Sequence, residues 1–190
     1  MGDGYHHGNL KEQLILAGME IITKEGVGAL SIRKAAEKCS VSHAAPYSHF
    51  KNKEEYLKKI NEFAEEKFAK ALDESLEYDK GDMVEMAKAY VRFFIKNPTI
   101  YDFYMRYADF NIEIGETEIK SRNSRAFDVF KEAADKYMEK LDIPREKRAV
   151  NIIRMWVMVQ GITMLAVMPG IKCETDWEEY TQKILKEAVV

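Results

Sequence analysis

The sequence contains few of the residues that interrupt helices. Its 190 residues include four prolines and ten glycines, which are fewer turn-forming residues than a protein of many short strands needs. The two cysteines, Cys39 and Cys173, are too few for a disulfide scaffold, and neither belongs to a Cys-x-x-Cys pair. We therefore expect a helical protein of a reducing, cytoplasmic compartment.

The signals of an exported or membrane protein are also missing. Residues 1–8 contain neither a basic segment nor an apolar one and do not predict a signal peptide. The most apolar stretch, residues 152–168, is interrupted by Arg154, Gln160 and Gly161. A membrane span is the alternative for this stretch, but we expect a helix that is buried on all sides and no membrane partner.

Patterns typical of catalysis or metal binding are absent as well. The Ser, His and Asp residues follow no spacing typical of a nucleophile and its base, and there is no glycine-rich loop for a phosphate. The pair His6–His7 has no further ligand at a metal-binding spacing, and a fragment of an expression tag is an alternative for it. We expect no enzyme activity, no cofactor and no metal site.

Charge is distributed unevenly along the chain. The net charge is −3, but residues 1–53 carry seven Lys or Arg against five Asp or Glu, whereas residues 54–190 carry 22 against 27. All four histidines lie in the first segment: His6, His7, His43 and His49. This asymmetry predicts that the two segments contact different partners.

The first segment has the pattern of a helix-turn-helix. We predict four helices with their capping residues: 9–25 (N-cap Asn9, stop at Gly26), 31–38 (Ser31), 43–49 (Ser42), and a long helix from the capping box Asn52–Glu55 to about Tyr78. A turn at residues 39–41 separates the second helix from the third.

Helices continue through the second segment, with no strand pattern and no repeat. We predict them at about residues 82–96, 98–110, 117–141, 144–168 and, from a capping box at Thr175–Glu178, 175–189. The last two are so apolar that a second copy of the chain should cover one face. The predicted fold is all-α, with an N-terminal three-helix helix-turn-helix at residues 1–53, a C-terminal helical bundle at residues 54–190, and about nine or ten helices.

The third predicted helix carries the candidate DNA contacts, because in a helix-turn-helix the first residues of the second motif helix contact base edges. Those residues are His43, Ala44 and Ala45; imidazole can bond to a base or a phosphate, and alanine methyls can contact thymine methyls. Hydroxyl, ring and cationic groups suited to phosphates surround them: Ser31, Arg33, Ser42, Tyr47, Ser48, His49, Lys51 and Lys53. The alternatives are that the alanines are only small helix residues and that Arg33 belongs to a solvated face. Double-stranded DNA is the predicted partner.

Residues 5–57 also contain a family pattern. It includes AGMEII at 17–22, Glu25-Gly26, LSIRKAA at 30–36 and VSHAAPYSHFKNKEEYL at 41–57, after the opening YHHGNL at 5–10. In this pattern an aromatic pair, here Tyr47 and Phe50, is followed by Lys-x-x-Leu. Lys53 is the lysine, but Tyr56 holds the usual leucine position, and the leucine comes one residue later, at Leu57. On these residues the chain is identified as a member of the TetR/AcrR family of transcriptional regulators. Residues 156–161 resemble the Trp-x-x-x-His-Gly motif of one C-terminal subfamily, with Gln160 in place of His.

The resemblance implies a mechanism. Residues 1–53 would bind DNA, and residues 54–190 would form a ligand-binding and dimerisation domain whose last two helices pair across a two-fold axis. The dimer would bind a palindromic operator, and a small apolar or aromatic effector would favour a conformation that does not fit the DNA, so that the protein acts as a repressor. Effector contacts are expected on the central helices: Phe93, Tyr101, Tyr104, Met105, Arg106, Phe127, Trp156, Gln160 and Met164.

Other functions are compatible with the sequence. The chain could be a helical interaction protein that has lost DNA binding, or a regulator that responds to a protein instead of a small molecule. A DNA affinity that falls steeply with salt would exclude the first, and stabilisation by an apolar small molecule would exclude the second. For each effector residue taken alone, plain core packing is the alternative.

Overall fold

A computed structural model describes residues 10–78, 82–109 and 111–187 of the chain. Within these ranges there are eight α-helices, two short 3₁₀ helices and one two-stranded sheet. Before the sheet lie α1 (Leu10–Glu25), a first 3₁₀ helix (Val27–Ala29), α2 (Ile32–Lys38), a second 3₁₀ helix (Ala45–Ser48), α3 (Lys53–Tyr78), α4 (Met83–Lys96) and α5 (Pro98–Tyr107). The sheet contains β1 (Asn111–Ile114) and β2 (Ile119–Arg122), and after it come α6 (Arg125–Lys140), α7 (Arg145–Val167) and α8 (Trp177–Glu187).

The chain forms two compact units. The first comprises Met1–Ala64 and Thr99–Ala108, and the second comprises Glu65–Pro98 and Asp109–Val190. Helices α3 and α5 therefore each contribute residues to both units.

The core of the first unit is built on one face of α1. Apolar residues spaced three or four apart along α1 are buried with those of α2 and the start of α3: Leu14, Ile21, Ile22, Ile32, Ala35, Phe50 and Ile60. Helix α1 approaches α3 closely at Gly18, where an added Cβ would lie 2.5 Å from the Tyr56 hydroxyl. That hydroxyl donates a hydrogen bond to the Leu14 carbonyl. Tyr56 fits at the usual leucine position because Gly18 leaves room for its ring.

Capping side chains begin the helices of this unit where the sequence predicts them. Ser31 Oγ accepts a hydrogen bond from the Lys34 amide at 3.5 Å, and Asn52 Oδ1 accepts one from the Glu55 amide at 2.8 Å. The reciprocal bond of the capping box is displaced, because the Glu55 carboxylate accepts from the Lys51 amide at 2.8 Å and not from Asn52. The start of α3 thus ties down the residue that precedes its cap.

The third predicted helix is a single 3₁₀ turn. The sequence predicts a helix over residues 43–49, but only Ala45–Ser48 is helical, and its backbone bonds join residues three apart. Pro46 supplies the reason, because it has no amide to donate to the carbonyl four residues before it. The residue that precedes this helix is Ala44, so the predicted cap Ser42 closes only the turn before it, where its Oγ accepts from the Ala45 amide at 3.3 Å.

An aromatic cluster lies between α3 and α4 in the second unit. The Phe68 ring has its centroid 4.7 Å from that of Tyr90, 5.1 Å from Phe93 and 4.6 Å from Phe94. All four side chains are buried. The Phe68–Tyr90 pair is edge-on, the Phe68–Phe94 pair is tilted and the Phe68–Phe93 pair is stacked; edge-on and offset stacked contacts are the favourable ones for aromatic rings.

Hydrogen bonds join α4 to the last two helices. The Tyr90 hydroxyl donates to Gln160 Oε1 on α7 at 2.7 Å, and Arg92 donates to Glu178 on α8 at 2.7 Å. Helix α4 therefore has a polar connection to both α7 and α8 in addition to its apolar packing.

A β-hairpin lies between α5 and α6, where the sequence predicts no strand: β1 falls in the gap between two predicted helices, and β2 falls in the start of the helix predicted at residues 117–141. Strands β1 and β2 pair antiparallel over their full lengths. Gly115 begins the turn, because its amide bonds to the Glu118 carbonyl at 2.9 Å and an added Cβ would lie 2.9 Å from the same oxygen. Helix α6 begins after its N-cap Ser124 and not near residue 117. Isoleucines alternating with polar residues favour the strands over a helix. The helical fold is otherwise confirmed.

The other helix bounds agree with the sequence to within a few residues. Helix α5 ends at Tyr107, before its predicted end. Helix α8 follows Asp176, whose carboxylate accepts from the Glu178 amide at 3.1 Å, so the cap is Asp176 and not Thr175. Four predicted features lie outside the described residues: His6–His7, the N-cap Asn9, Phe110 and the apolar end at 188–190.

Candidate functional site

The segment between α2 and α3 presents polar and small side chains to solvent. Pro46 and Phe50 are buried and hold it against the core. Its exposed residues are Ser42, His43, Ala44, Tyr47 and Ser48. Ala45 and His49 are half-buried. The structure thus brings the predicted base contacts and several phosphate contacts together on one turn, with Tyr47 exposed over 57% of its surface.

Acidic side chains hold the cations of α2. Lys34 forms an ion pair with Glu25. The Glu37 carboxylate oxygen Oε1 lies 3.4 Å from Arg33 Nε and 3.1 Å from His43 Nε2. Two of the predicted DNA-binding side chains therefore share one carboxylate, a feature that the sequence analysis did not predict.

Two lysines at the start of α3 have a different environment. Lys53 Nζ donates to the Gly28 carbonyl at 2.9 Å, which ties the loop after α1 to the first residue of α3. Among the residues that the structure describes, no carboxylate forms an ion pair with Lys51 or Lys53. Both side chains are exposed. Their positive charge is therefore available to an external anion.

Electrostatics also link α1 to α2 behind this surface. Lys38 Nζ lies 2.7 Å from the Glu20 carboxylate. The hydrogen bond from Lys38 lowers the pKa of Glu20, and the same bond raises the pKa of Lys38. Burial raises the pKa of the neighbouring Cys39 thiol and that of the Tyr56 hydroxyl, which keeps both groups neutral.

Five of the predicted effector contacts lie in the second unit. The Phe127 ring packs against the Trp156 ring with centroids 4.9 Å apart. Gln160 accepts the Tyr90 hydrogen bond, and Phe93 belongs to the aromatic cluster. Met164 exposes half of its surface on α7 and is not enclosed by the chain.

The other four predicted effector contacts lie on α5, in the first unit. Tyr104 is buried, and Tyr101 and Met105 are half-buried. Arg106 is exposed, with its guanidinium 3.4 Å from the Asp102 carboxylate and over the Tyr107 ring. The nine residues are therefore divided between the two units.

An open cavity of about 420 Å³ lies beside the aromatic cluster in the second unit. It is lined by residues from the end of α3 and from α4: Ala71, Glu74, Ser75, Glu85, Ala89, Arg92, Phe93, Lys96 and Asn97. Phe93 is the predicted effector contact in this lining. The others are small, polar or charged, and such residues on a helical face do not predict a ligand contact because they are usually solvated.

A stripe that is apolar except for Arg154 runs along the exposed side of α7 to its C-cap. Its members alternate at spacings of four and three, and we call it the α7 stripe: Val150, Arg154, Val157, Gly161, Met164 and Met168. Val157 exposes 64% of its surface, and an added Cβ at Gly161 would have no neighbour within 4 Å. This seven-residue period is the pattern of a helix that packs along another helix.

Helix α7 is also the one helix of the described residues that is long and apolar enough to cross a membrane by length and composition. Its inner side chains pack within the second unit, where Ala149, Ile152, Val159 and Ile162 are buried. That packing is the role of a helix in a globular bundle.

Two family profiles match the sequence. The tetR family of bacterial regulatory proteins matches residues 14–60, and a C-terminal domain described as tetracyclin repressor-like matches residues 83–188. The second match covers more than half of the chain. No curated protein matches the sequence significantly.

Solved structures share the fold at low sequence identity. A protein of unknown function from Rhodococcus sp. RHA1 is 22% identical, with a TM-score of 0.66 over 98% of this chain and 96% of that chain. A transcriptional regulator (TerR/AcrR family) of Aquifex aeolicus VF5 is 18% identical, with a TM-score of 0.64 over 94% of this chain and 99% of that chain. The regulator FadR of Bacillus subtilis, in complex with stearoyl-CoA, is 14% identical, with a TM-score of 0.64 over 94% of this chain and 97% of that chain. On the family matches, the chain belongs to the TetR family of transcriptional regulators.

Proposed function

We propose that the chain is a cytoplasmic repressor that binds a palindromic operator as a homodimer and is released by a small apolar or aromatic effector. The observation that carries DNA binding is the exposed turn at residues 42–48 beside Lys51 and Lys53. Cations without a carboxylate partner attract phosphates most strongly, because no internal ion pair has to be broken. Residues 1–53 would form the DNA-binding domain, and residues 54–190 the effector and dimerisation domain.

The eleven proposed DNA contacts divide by chemistry. His43 and the methyl groups of Ala44 and Ala45 would face base edges. The remaining eight would hold phosphates and set the register on the duplex: Ser31, Arg33, Ser42, Tyr47, Ser48, His49, Lys51 and Lys53.

The α7 stripe supports the dimer. Water-exposed apolar side chains repeated every seven residues are stabilised when a second helix covers them. The partner that we propose is α7 of a second copy, with α8 beside it, because an isologous contact places the same stripe on both sides of a two-fold axis. Met164, which was predicted to touch the effector, is assigned to this surface instead, because it is half exposed.

The four remaining effector residues of the second unit, Phe93, Phe127, Trp156 and Gln160, supply aromatic surface and one polar group. Trp156 and Phe127 form one ring pair, and Gln160, which accepts the Tyr90 hydrogen bond, is a polar group on the same helix as Trp156. Such a lining suits an apolar or aromatic ligand with one polar group. The ligand would act by binding one conformation more tightly than the other, which typically changes DNA affinity between about fivefold and 150-fold.

Selection from a random double-stranded DNA pool tests the DNA-binding proposal. We expect enrichment of an inverted repeat, because a symmetric dimer presents two equal recognition turns. Tyr47→Ala should weaken binding to all selected sequences while sedimentation still shows a dimer. Folded wild-type protein that enriches no sequence would favour the helical interaction protein.

A second experiment tests the effector. Selected DNA is titrated with wild-type protein in the presence of a panel of apolar carboxylic acids and aromatic compounds, with stearoyl-CoA, which the Bacillus subtilis FadR structure contains, as one member. We expect at least one compound to release the DNA and to raise the melting temperature. Gln160→Leu should change which compounds act. A panel without effect, against intact DNA binding, would favour a regulator that responds to a protein.

A further inference from the structure

The cavity beside the aromatic cluster combines apolar surface with charged side chains. Phe93 and Ala89 on α4 are buried, and Ala71 on α3 is half-buried; all three line the cavity. Its volume of about 420 Å³ lies within the range of small-molecule sites, roughly 300–1,000 Å³. All of its lining residues belong to the second unit. The cavity can therefore hold a ligand whose apolar part contacts these three side chains.

The acidic side chains of the cavity are paired with lysines that do not line it. Glu74 Oε1 lies 3.6 Å from Lys70 Nζ on α3. Glu85 Oε1 lies 2.6 Å from Lys88 Nζ on α4. Because each carboxylate has a cation beside it, the two acidic side chains repel an external anion only weakly.

The cations of the cavity are balanced only in part. Arg92 Nη1 donates a hydrogen bond to Glu178 Oε2 on α8 at 2.7 Å. Lys96, at the end of α4, is exposed, and no carboxylate of the described residues forms an ion pair with it. Ser75 and Asn97 donate hydrogen bonds to backbone carbonyls and carry no charge. The lining and its ion-pair partners thus have an excess of one positive charge, at Lys96.

We propose that the cavity binds a small apolar monocarboxylate, whose carboxylate group contacts Lys96 and whose apolar part contacts Phe93. These two residues are three apart on α4, so their side chains are neighbours on one face of the helix. The ammonium group supplies a charge-assisted hydrogen bond, which is about twice as strong as a neutral one. The release of water from apolar surface favours binding of the rest of the ligand. The inference goes beyond the proposed function, because it assigns a site and a charge to the ligand.

Arg92 connects this site to α8. It lies four residues before Lys96 on α4, so it is on the same face and adds positive charge beside the bound carboxylate. Glu178, which accepts the hydrogen bond from Arg92, opposes the ligand, because two carboxylates near one guanidinium group repel each other. A bound acid should therefore weaken the hydrogen bond between α4 and α8.

Isothermal titration calorimetry with octanoate and benzoate tests the site. Octanamide and benzamide serve as probes of similar shape without the charge. The titrations use the full-length chain without DNA, at neutral pH, where both acids are ionised. We expect each acid to bind more tightly than its amide, because only the acid gains the charge-assisted hydrogen bond.

Four variants locate the binding. Lys96→Gln should weaken the binding of both acids by about threefold to tenfold, the effect of one hydrogen bond, and leave the amides unchanged. Glu178→Gln should strengthen acid binding, because it removes the opposing carboxylate. Ala71→Leu, which fills the cavity without a change of charge, should weaken acids and amides alike. Lys136→Gln removes an exposed lysine from α6 of the same unit and is the matched control, without effect on either.

Circular dichroism first checks that each variant is folded. Equal affinities of wild type and Lys96→Gln for the acids overturn the inference, and so do amides that bind as tightly as the acids, or wild-type protein that binds neither acid. A folded Ala71→Leu protein with unchanged acid binding overturns it as well, because the acid then lies outside the cavity. No DNA is present, so these outcomes are independent of the proposed function. That function fails separately, if wild-type protein enriches no inverted repeat.

Discussion

At the scale of single residues, Gly18 and Tyr56 depend on each other. The phenol occupies the space that a side chain at position 18 would need, and its hydroxyl satisfies the Leu14 carbonyl inside the core. A leucine at position 56 could not make that hydrogen bond. The departure from the family pattern at Tyr56 is therefore matched by a glycine one helix away.

Gly18→Ala should destabilise the protein, because the new methyl group would lie 2.5 Å from the Tyr56 hydroxyl. We expect the free energy of unfolding to fall by about 1–3 kcal/mol, the usual effect of overpacking. Urea denaturation measures it. Gly28→Ala is the control, since no atom lies within 4 Å of an added Cβ there. Adding Tyr56→Leu to Gly18→Ala should recover part of the lost free energy of unfolding. If the effects of the two single substitutions simply add in the double variant, the contact between the two residues is contradicted.

Acid should remove the contribution of Glu20. The hydrogen bond from Lys38 lowers the pKa of Glu20 from its ordinary 4.5, so the folded state binds this proton more weakly than the unfolded state. The stabilisation is present above pH 4.5 and is lost as the pH falls through the folded-state pKa. Near neutral pH the free energy of unfolding of the wild type should exceed that of Glu20→Gln by about 0.5 kcal/mol. The difference is small because solvent screens the ion pair. A difference that persists in strong acid would contradict this assignment.

At the scale of elements, the sequence predicts helices better than it predicts short segments between them. Helices α1 to α4 and α7 follow from periodicity and caps such as Ser31 and Asn52, which act through local hydrogen bonds. The second 3₁₀ helix and the hairpin were not predicted, because Pro46 and Gly115 each affect only one turn. A hydrophobic period is read over many residues and does not register a change confined to one turn. The Glu37–His43 pair joins two elements, so no local pattern contains it.

Gly161→Leu should break the dimer and leave the chain folded. Within one copy an added side chain at this position enters open space, whereas in the proposed dimer it would separate the two α7 helices at the middle of the stripe. Analytical ultracentrifugation should show a monomer, and helicity by circular dichroism should not fall, because leucine favours helix over glycine. Glu146→Leu adds the same side chain near the start of α7 and should remain dimeric. A dimeric Gly161→Leu protein would exclude the α7 stripe as the interface.

At the scale of the whole molecule, the proposed DNA binding brings an acidic chain to an acidic polymer, with a small cationic surface as the proposed contact. The net charge is −3, so the protein as a whole is repelled by DNA at long range. Local cations must overcome this repulsion, and they do so most effectively at low ionic strength. The salt dependence of binding therefore counts the lysines that contact phosphates.

Lys51→Gln should weaken binding to every DNA sequence and reduce the slope of log affinity against log salt by about 1 for each subunit. The base preferences of the operator should not change, because a phosphate contact carries no sequence information. Fluorescence anisotropy over a range of salt concentrations measures the slope. Lys172→Gln removes an exposed lysine of the second unit as a control. Equal slopes for the wild type and Lys51→Gln would exclude Lys51 from the interface.

In the proposed dimer, the short second 3₁₀ helix and the turn before it limit how many base pairs the side chains can read directly. A recognition element places about three or four side chains on base edges, so a two-fold dimer specifies roughly six to eight base pairs. Singling out one site among on the order of 10⁶ competitors requires about ten fully specified pairs. The difference must come from base pairs that no side chain contacts, through groove width and flexibility. The operator should therefore contain conserved positions between the contacted ones.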